Sequence, residues 1–499
     1  VSKMDDETIE RIYMKVGFNN DLYLQMQSER IMQRIDSFGD KLYLEFGGKL
    51  FDDYHASRVL PGFKPDSKLQ MLLQLKDQAE IVIVVNARDI AENKIRADLG
   101  IPYDEDVLRL ISEFQNVGLY VSSVVITHYN GQKAVDRLKR RLQKRNINVY
   151  KHYFIDGYPT NTRKILSEEG FGRNDYVKTT RPLVVVTAPG PGSGKMATCL
   201  SQLYHELQRG VKAGYAKYET FPIWSIPLNH PVNLAYEAAT ADLNDKNMID
   251  PYHLDAYGEV TVNYNRDIEI FPVLKNIFTE IYGSSPYQSP TDMGVNMAGF
   301  GICDDDAVRE AANQEIIRRY FNSRVRYYKE QCGPEELQKQ EMLLEQAGIN
   351  VEDRACVEAA RVKDKERKNR SGAIELEDGT LITATTTDFM GPCAGLVVNA
   401  IKHLAGIPDD EHIISPESFE PIQELKTHYQ GANNPRLHTT EMLIALAMSA
   451  RINPSARKAM EQLPKLKGLQ AHITSDLSEV DLQAYNTLGI QFTYEADKR

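Results

Sequence analysis

No pair of cysteines in this sequence is spaced Cys-x-x-Cys. The five present (Cys199, Cys303, Cys332, Cys356 and Cys393) are odd in number and far apart. They describe neither a disulfide framework nor a zinc site, and a reducing cytoplasm is the expected setting. Long apolar runs are also missing: no segment approaches the 18 or so uninterrupted apolar residues that a membrane helix needs, and the charged start, residues 1–10, does not read as a signal peptide. The eleven histidines form no His-Glu-x-x-His or other tight ligand spacing, so no metal is assigned. A surplus of positive charge is absent too. The formal net charge of -11 gives no long-range attraction for nucleic acid or an anionic membrane. The basic run QKAVDRLKRRLQKRN, residues 132–146, lacks interleaved aromatics and reads as a solvated helix face.

What is present suits a chain of several domains, because 499 residues exceed what one hydrophobic core holds. Short β-branched runs recur at Leu42 to Phe46, Ile81 to Val85, Ser123 to Thr127, Val149 to Ile155 and Leu183 to Thr187. Amphipathic helical stretches lie between several of them, at Ser67 to Gln78, Asp104 to Gln115 and Gly131 to Arg145. That alternation predicts a multidomain α/β protein with a Rossmann-like or P-loop-like parallel sheet in its N-terminal half. From Cys303 the pattern becomes helix after helix. Strand character resumes at IELEDGTLIT, where Asp378-Gly379 marks a hairpin turn. The expected organisation is an α/β phosphate-binding region over 1–300, a helical region over 301–370, and a smaller α/β domain over 371–499.

The sharpest local signal is RPLVVVTAPGPGSGKMATCLSQLYHEL, residues 181–207: an apolar strand, a glycine-rich turn, then an amphipathic helix. Gly190, Gly192 and Gly194 let the backbone turn sharply and expose N–H groups. Ser193 lies between them, the helix that follows aims its positive end at the same point, and Lys195 adds a full charge. A phosphate suits all of these. The match to GxxxxGK[ST] is incomplete, since Pro189 stands in place of the first glycine and Met196 in place of the magnesium-binding hydroxyl. Thr198 supplies a hydroxyl two residues late, on another side of the helix. HYFID, ending at Asp156, is the nearest approach to a Walker-B strand. A glycine turn that merely joins strand to helix is the alternative.

In an open parallel sheet the loops after the strands share one edge, where ligands bind. The loop after the first strand carries Glu45, Gly47, Gly48 and Lys49, the second Arg88 and Asp89, the third Asn130. Gly47, Gly48, Lys49, Arg88, Asp89 and Asn130, with the glycine turn, are the candidate site residues, and Gly47-Gly48-Lys49 is a second plausible anion turn. Residues 214–258, with the only tryptophan, Trp224, read as a binding loop. Asp242, Asp245, Asp250, His253 and Asp255 within it are spaced irregularly, as turn and capping residues are. Cys393, at an expected helix start, reads as a buried structural thiol. Ser475 with His472 reads as part of a capping segment rather than as a nucleophile and its base.

The stretches GFNNDLYLQMQSERI, EFGGKLFDDYHASRVLPGF, APGPGSGKMATCLSQLYHE, HPVNLAYEAATADLNDKNMIDPYHLDAYG and VVNAIKHLAGI together make the chain resemble the UPF0371 family, also called DUF1846, over nearly its whole length. The resemblance implies a modular bacterial protein with an α/β nucleotide-binding-like part, a helical part and an α/β C-terminal domain, with no verified substrate. Some relatives are labelled ATP-dependent peptidases, but this sequence has no His-Glu-x-x-His, no Gly-x-Ser-x-Gly and no Ser/His/Asp order to support that. The expected function is an enzyme that holds a nucleotide or phosphorylated metabolite, ATP with Mg²⁺ among the candidates, as a cytoplasmic homo-oligomer. A non-catalytic ligand sensor or assembly protein is the alternative, for which Met196 is the best argument.

Overall fold

A computed structural model describes residues 16–39, 41–48, 50–51, 53–96 and 100–496. The chain forms two compact units, one of residues 16–237 with 244–309 and one of residues 238–243 with those from 310 on.

The first unit is built on seven parallel strands: β1 (Leu42–Phe46), β2 (Ala79–Asn86), β3 (Tyr120–Tyr129), β4 (Asn148–Tyr153), β5 (Leu183–Thr187), β6 (Gly214–Tyr218) and β7 (Gly294–Val295). Their order across the sheet is β7-β6-β1-β5-β2-β3-β4. β1 and β5 read as continuous apolar runs because every residue of each is buried, as a strand covered on both faces requires. β1 pairs with β5 on one side and β6 on the other, with Leu42 opposite both Leu183 and Gly214. One face packs under the helices Lys195–Gln208 and Asn265–Tyr282, through Tyr43, Val184, Val186, Cys199, Leu203, Tyr215, Phe271 and Phe278.

β6 departs from the sequence reading, which placed GYAKY inside a loop. Its five residues are all buried, yet a lysine, two tyrosines and a glycine carry no alternating apolar signature. Gly214 is held to glycine by Phe38, whose ring lies 2.3 Å from where a Cβ would stand.

Chain direction reverses at the middle of this sheet. From β2 the chain moves outward to β3 and β4. It returns to lay β5 between β1 and β2, then leaves the other way to β6 and β7. Neighbouring β5 and β2 thus send their connections in opposite directions, the arrangement at whose carboxyl ends α/β sheets hold ligands.

The second unit carries a four-stranded sheet of β8 (Ser371–Glu375), β9 (Leu381–Thr385), β10 (Gln470–Ile473) and β11 (Gln491–Tyr494), in the order β9-β8-β10-β11. β8 and β9 are antiparallel, and the expected Asp378-Gly379 turn joins them: Gly379 has φ 81° and the Asp378 carboxylate accepts from Thr380 N at 2.9 Å. His472, which the sequence places with Ser475 in a capping segment, lies instead in the strand β10, buried against the Thr493 hydroxyl at 2.8 Å. Long helices precede this sheet, Asp305–Tyr328, Pro334–Ala347 and Ala355–Arg367. In the aromatic stretch 320–330, Phe321 is core and packs on His472. Among the described residues no helix is long and apolar enough to cross a membrane.

Candidate functional site

The glycine turn follows β5 and enters the helix Lys195–Gln208 at the reversal point of the sheet. Gly194 is the residue before the helix, with φ 91° and ψ 27°, a left-handed conformation that favours glycine. A Cβ at Gly190 would stand 2.3 Å from the Tyr103 hydroxyl, so the turn lies directly on that ring. The turn is fastened on its underside. The Thr127 hydroxyl donates to Ser193 O at 2.7 Å, the Ser193 hydroxyl to Gly190 O at 2.7 Å, and Asn86 Nδ2 to Gly192 O at 3.5 Å. These bonds occupy the carbonyl oxygens of Gly190, Gly192 and Ser193 and the Ser193 hydroxyl. At Gly192, φ is 72° and nothing stands within 4 Å of a notional Cβ.

Lys195 opens the helix and is half-buried. Among the described residues no carboxylate lies within ion-pair reach of it. Thr198 is buried and its hydroxyl has no partner among those residues. Met196 packs against the core under the sheet, so a hydrocarbon occupies the place of the magnesium-binding hydroxyl.

The other residues named from sequence spread along the same edge. Gly47 N donates to Tyr218 O at 3.0 Å, and Gly48 has φ 71° with the Lys68 ammonium 3.0 Å from its notional Cβ. Lys49 lies outside the described residues. Arg88 is exposed, and its N–H donates to Asn86 Oδ1 at 2.9 Å. Asp89 is buried and pairs with Lys94 at 3.3 Å. Asn130 is exposed in the turn after β3, where its N–H donates to Gln132 Oε1 at 2.8 Å. Burial first, then the Arg88 charge, lowers the pKa of His128 at the end of β3, while the Asp89 charge opposes them. Asp156 pairs with Lys164 at the surface, at 3.2 Å.

Sequence reasoning passed over the groups beside the Gly47-Gly48 turn. Lys217 and Glu219 stand two apart at the end of β6, a spacing that puts both on one face. The Lys217 ammonium pairs with Asp267 at 2.6 Å and Glu219 at 2.8 Å, and also contacts the Tyr264 hydroxyl. Tyr264 Oη donates to Glu219 Oε1 at 3.0 Å, and Tyr215 Oη donates to Glu45 Oε2 at 2.6 Å. On the other flank Lys68 pairs with Asp53 at 2.8 Å. The K-x-E spacing was the one readable signal, and it was hidden because β6 did not read as a strand.

Burial alone would lower the Lys217 pKa, but Asp267, Glu219 and Glu45 outweigh it and hold the ammonium above the usual lysine range. Burial pushes Glu219 up to about 7. Lys217 opposes that shift and Asp267 adds to it.

Elsewhere, polar groups serve the fold. Asp250 caps the helix Pro251–Tyr257 through Tyr252 N and His253 N. Cys393 is buried, and that burial drives its pKa well above the thiol norm. Ser478 caps the helix Glu479–Leu488. His438, Ser478 and Asp481 meet in the second unit, but His438 Nδ1 faces both Asp481 Oδ2, at 2.9 Å, and the Ser478 hydroxyl, at 3.3 Å. Ser478 Oγ also donates to Asp481 Oδ2 at 2.8 Å and accepts from Asp481 N at 3.2 Å. One ring nitrogen facing both groups is not a nucleophile–base–acid relay, which uses both nitrogens.

Fold and site together define a class: a parallel α/β protein with a glycine turn entering a helix at the reversal point of its sheet, joined to a smaller α/β unit. Within that class the chain belongs to the DUF1846 family. The model described as "Domain of unknown function DUF1846, N-terminal" matches residues 16–348, and its C-terminal counterpart matches residues 352–498. A UPF0371 protein of Streptococcus thermophilus, stu1377, is 53% identical over 481 residues, which cover 96% of this chain and 97% of the relative. The UPF0371 protein SUB1165 of Streptococcus uberis is similar to the same extent, 53% over 481 residues, again 96% and 97% of the two chains.

Proposed function

We propose that the chain binds the phosphate of a nucleotide or phosphorylated metabolite on the turn Pro189–Lys195, as the anchoring step of an enzyme reaction. The observation that carries this reading is the meeting of a half-buried Lys195, with no ion-pair partner among the described residues, and a glycine turn whose Gly190, Gly192 and Ser193 carbonyls are already bonded. Oriented N–H groups, a helix N-terminus and a free ammonium at one point favour an anion. Their place at the reversal point of a parallel sheet is where such folds hold ligands. Met196 argues against a magnesium ion held by the turn itself, so any Mg²⁺ would arrive on the nucleotide.

The test is a thermal-shift screen of wild type and Lys195→Ala against ATP, GTP, NAD(P), sugar phosphates and inorganic phosphate, each with and without Mg²⁺. A ligand that binds only the folded state raises the melting temperature by mass action. The expected result is a rise with one phosphorylated class that disappears in the variant. No rise with any of them, or a rise that survives Lys195→Ala, removes the reading.

A further inference from the structure

The Lys217 network carries three carboxylates, Glu45, Glu219 and Asp267, around one ammonium. Three of the four groups are shielded from water: Lys217 and Asp267 are 7% and 6% exposed, and Glu45 is 7% exposed. Ionised carboxylates in that number are costly to bury beside a single cation. Either the imbalance is met by a proton or an unbalanced charge is retained. Only Glu219 reaches solvent to any extent, with 19% of its side chain exposed, so it is the member able to trade a proton with water.

Glu219 lies beside the turn after β1, the strand that neighbours β5. Gly47 lies over it, with a notional Cβ 3.5 Å from Glu219 Cγ. Lys195 and Cys199 are four apart on one helix and share a face. Cys199 packs in one core with Tyr43 and Tyr215, which share strand faces with Glu45 and Lys217, so the helix Lys195–Gln208 lies on the network's face of the sheet. The carboxyl end of β6 is two strands from that of β5, about 10 Å. A phosphate monoester with a body the size of a sugar spans that gap.

We propose that Glu219 is the proton-exchanging residue of the glycine-turn site: it takes a proton from solvent as a phosphate dianion settles on the turn and releases it when the anion leaves. This rests on the phosphate reading above. The ligand class it implies is a phosphate monoester whose non-phosphate part covers Gly47-Gly48 and meets the Glu219 carboxyl. A carboxyl that changes protonation near neutral pH is suited to give or take a substrate proton. The groups facing Glu219 are Lys217 at the end of β6, Tyr264 and Asp267 at the start of the helix Asn265–Tyr282, and Tyr236 on the helix Pro231–Ala239, whose hydroxyl feels the Glu219 charge, while Glu45 on β1 faces Lys217.

Calorimetric titration of the full chain with ATP, glucose 6-phosphate and inorganic phosphate, in two buffers of different ionisation heat at pH 7, reads the protons taken up. Wild type is expected to take up more protons per anion than Glu219→Gln, because an anion settling nearby favours the neutral carboxyl. Two further variants act even if Glu219→Gln folds poorly. Asp267→Asn, which removes a charge that raises the Glu219 pKa, moves the pH of maximum uptake down. Tyr264→Phe, which removes a hydrogen bond to its carboxylate, moves it up. Binding with equal uptake in wild type and Glu219→Gln, or with no movement in the two other variants, overturns the proposal and leaves the phosphate site standing. No binding of any of the three probes overturns both.

Discussion

Two clusters in this protein have the composition of catalytic machinery, and they differ in what their charges are for. In the second unit Asp481 accepts from His438 Nδ1, Thr439 N, Thr439 Oγ1 and Ser478 Oγ. Burial alone would raise its pKa, yet those hydrogen bonds, His438's foremost, hold it down at about 2. Every acceptor position there is spent on joining two helix starts. In the first unit Lys217 faces three carboxylates, Glu219 is pushed up to about 7 by burial, and Lys195 nearby has no partner among the described residues. A satisfied network stabilises the fold. The Lys217 network instead leaves more carboxylates than cations.

The largest expected effect that sharpens this contrast is at Lys217. Lys217→Met leaves three buried carboxylates without their cation and is expected to cost about 3–5 kcal/mol at pH 8. The loss should shrink toward pH 5, where Glu219 takes a proton; urea unfolding at the two pH values measures both.

Asp481→Asn comes next. The carboxyl is lowered from its reference of 3.8 to about 2, so its contribution, about 2.5 kcal/mol, is present above pH 4 and lost as pH falls through 2. The variant should be less stable than wild type at pH 7 and equal to it near pH 2. It should bind the phosphorylated probes unchanged, and weaker binding would break the contrast.

Gly190→Ala drives a methyl into the Tyr103 hydroxyl, and overpacking of that kind costs about 2 kcal/mol. Here binding should fall along with stability, as isotherms of the variant would show. Ser478→Ala is the smallest, about 1 kcal/mol for a lost helix cap, visible in the melting temperature alone.

Much of this was legible from sequence where burial is symmetric. The bounds of β1 and β5 follow from short runs apolar at all but Glu45 and Thr187, as strands covered on both faces leave them. The glycine turn was legible because its backbone demands a residue type. β6 was not, since its interior is filled by Tyr215, Lys217 and Tyr218 in place of aliphatic side chains. The cluster around Lys217 was illegible for the same reason and for another: Glu45, Lys217 and Asp267 come from three distant segments that only the strand order β6-β1-β5 brings together. Sequence placed Glu45 on the rim but gave it no partner. Cys393 and the capping segment around Ser478 were read as structural, and their burial and bonding agree.

The central claim is that the turn Pro189–Lys195 is where an anion rests. Hydrogen exchange at the amides of residues 190–196, with and without saturating amounts of the phosphorylated ligand that shifts melting most, tests it at the site itself. The account predicts slowed exchange at those amides in wild type and no slowing in Lys195→Ala. Slowed exchange confined to other segments, with these amides unchanged, would contradict it.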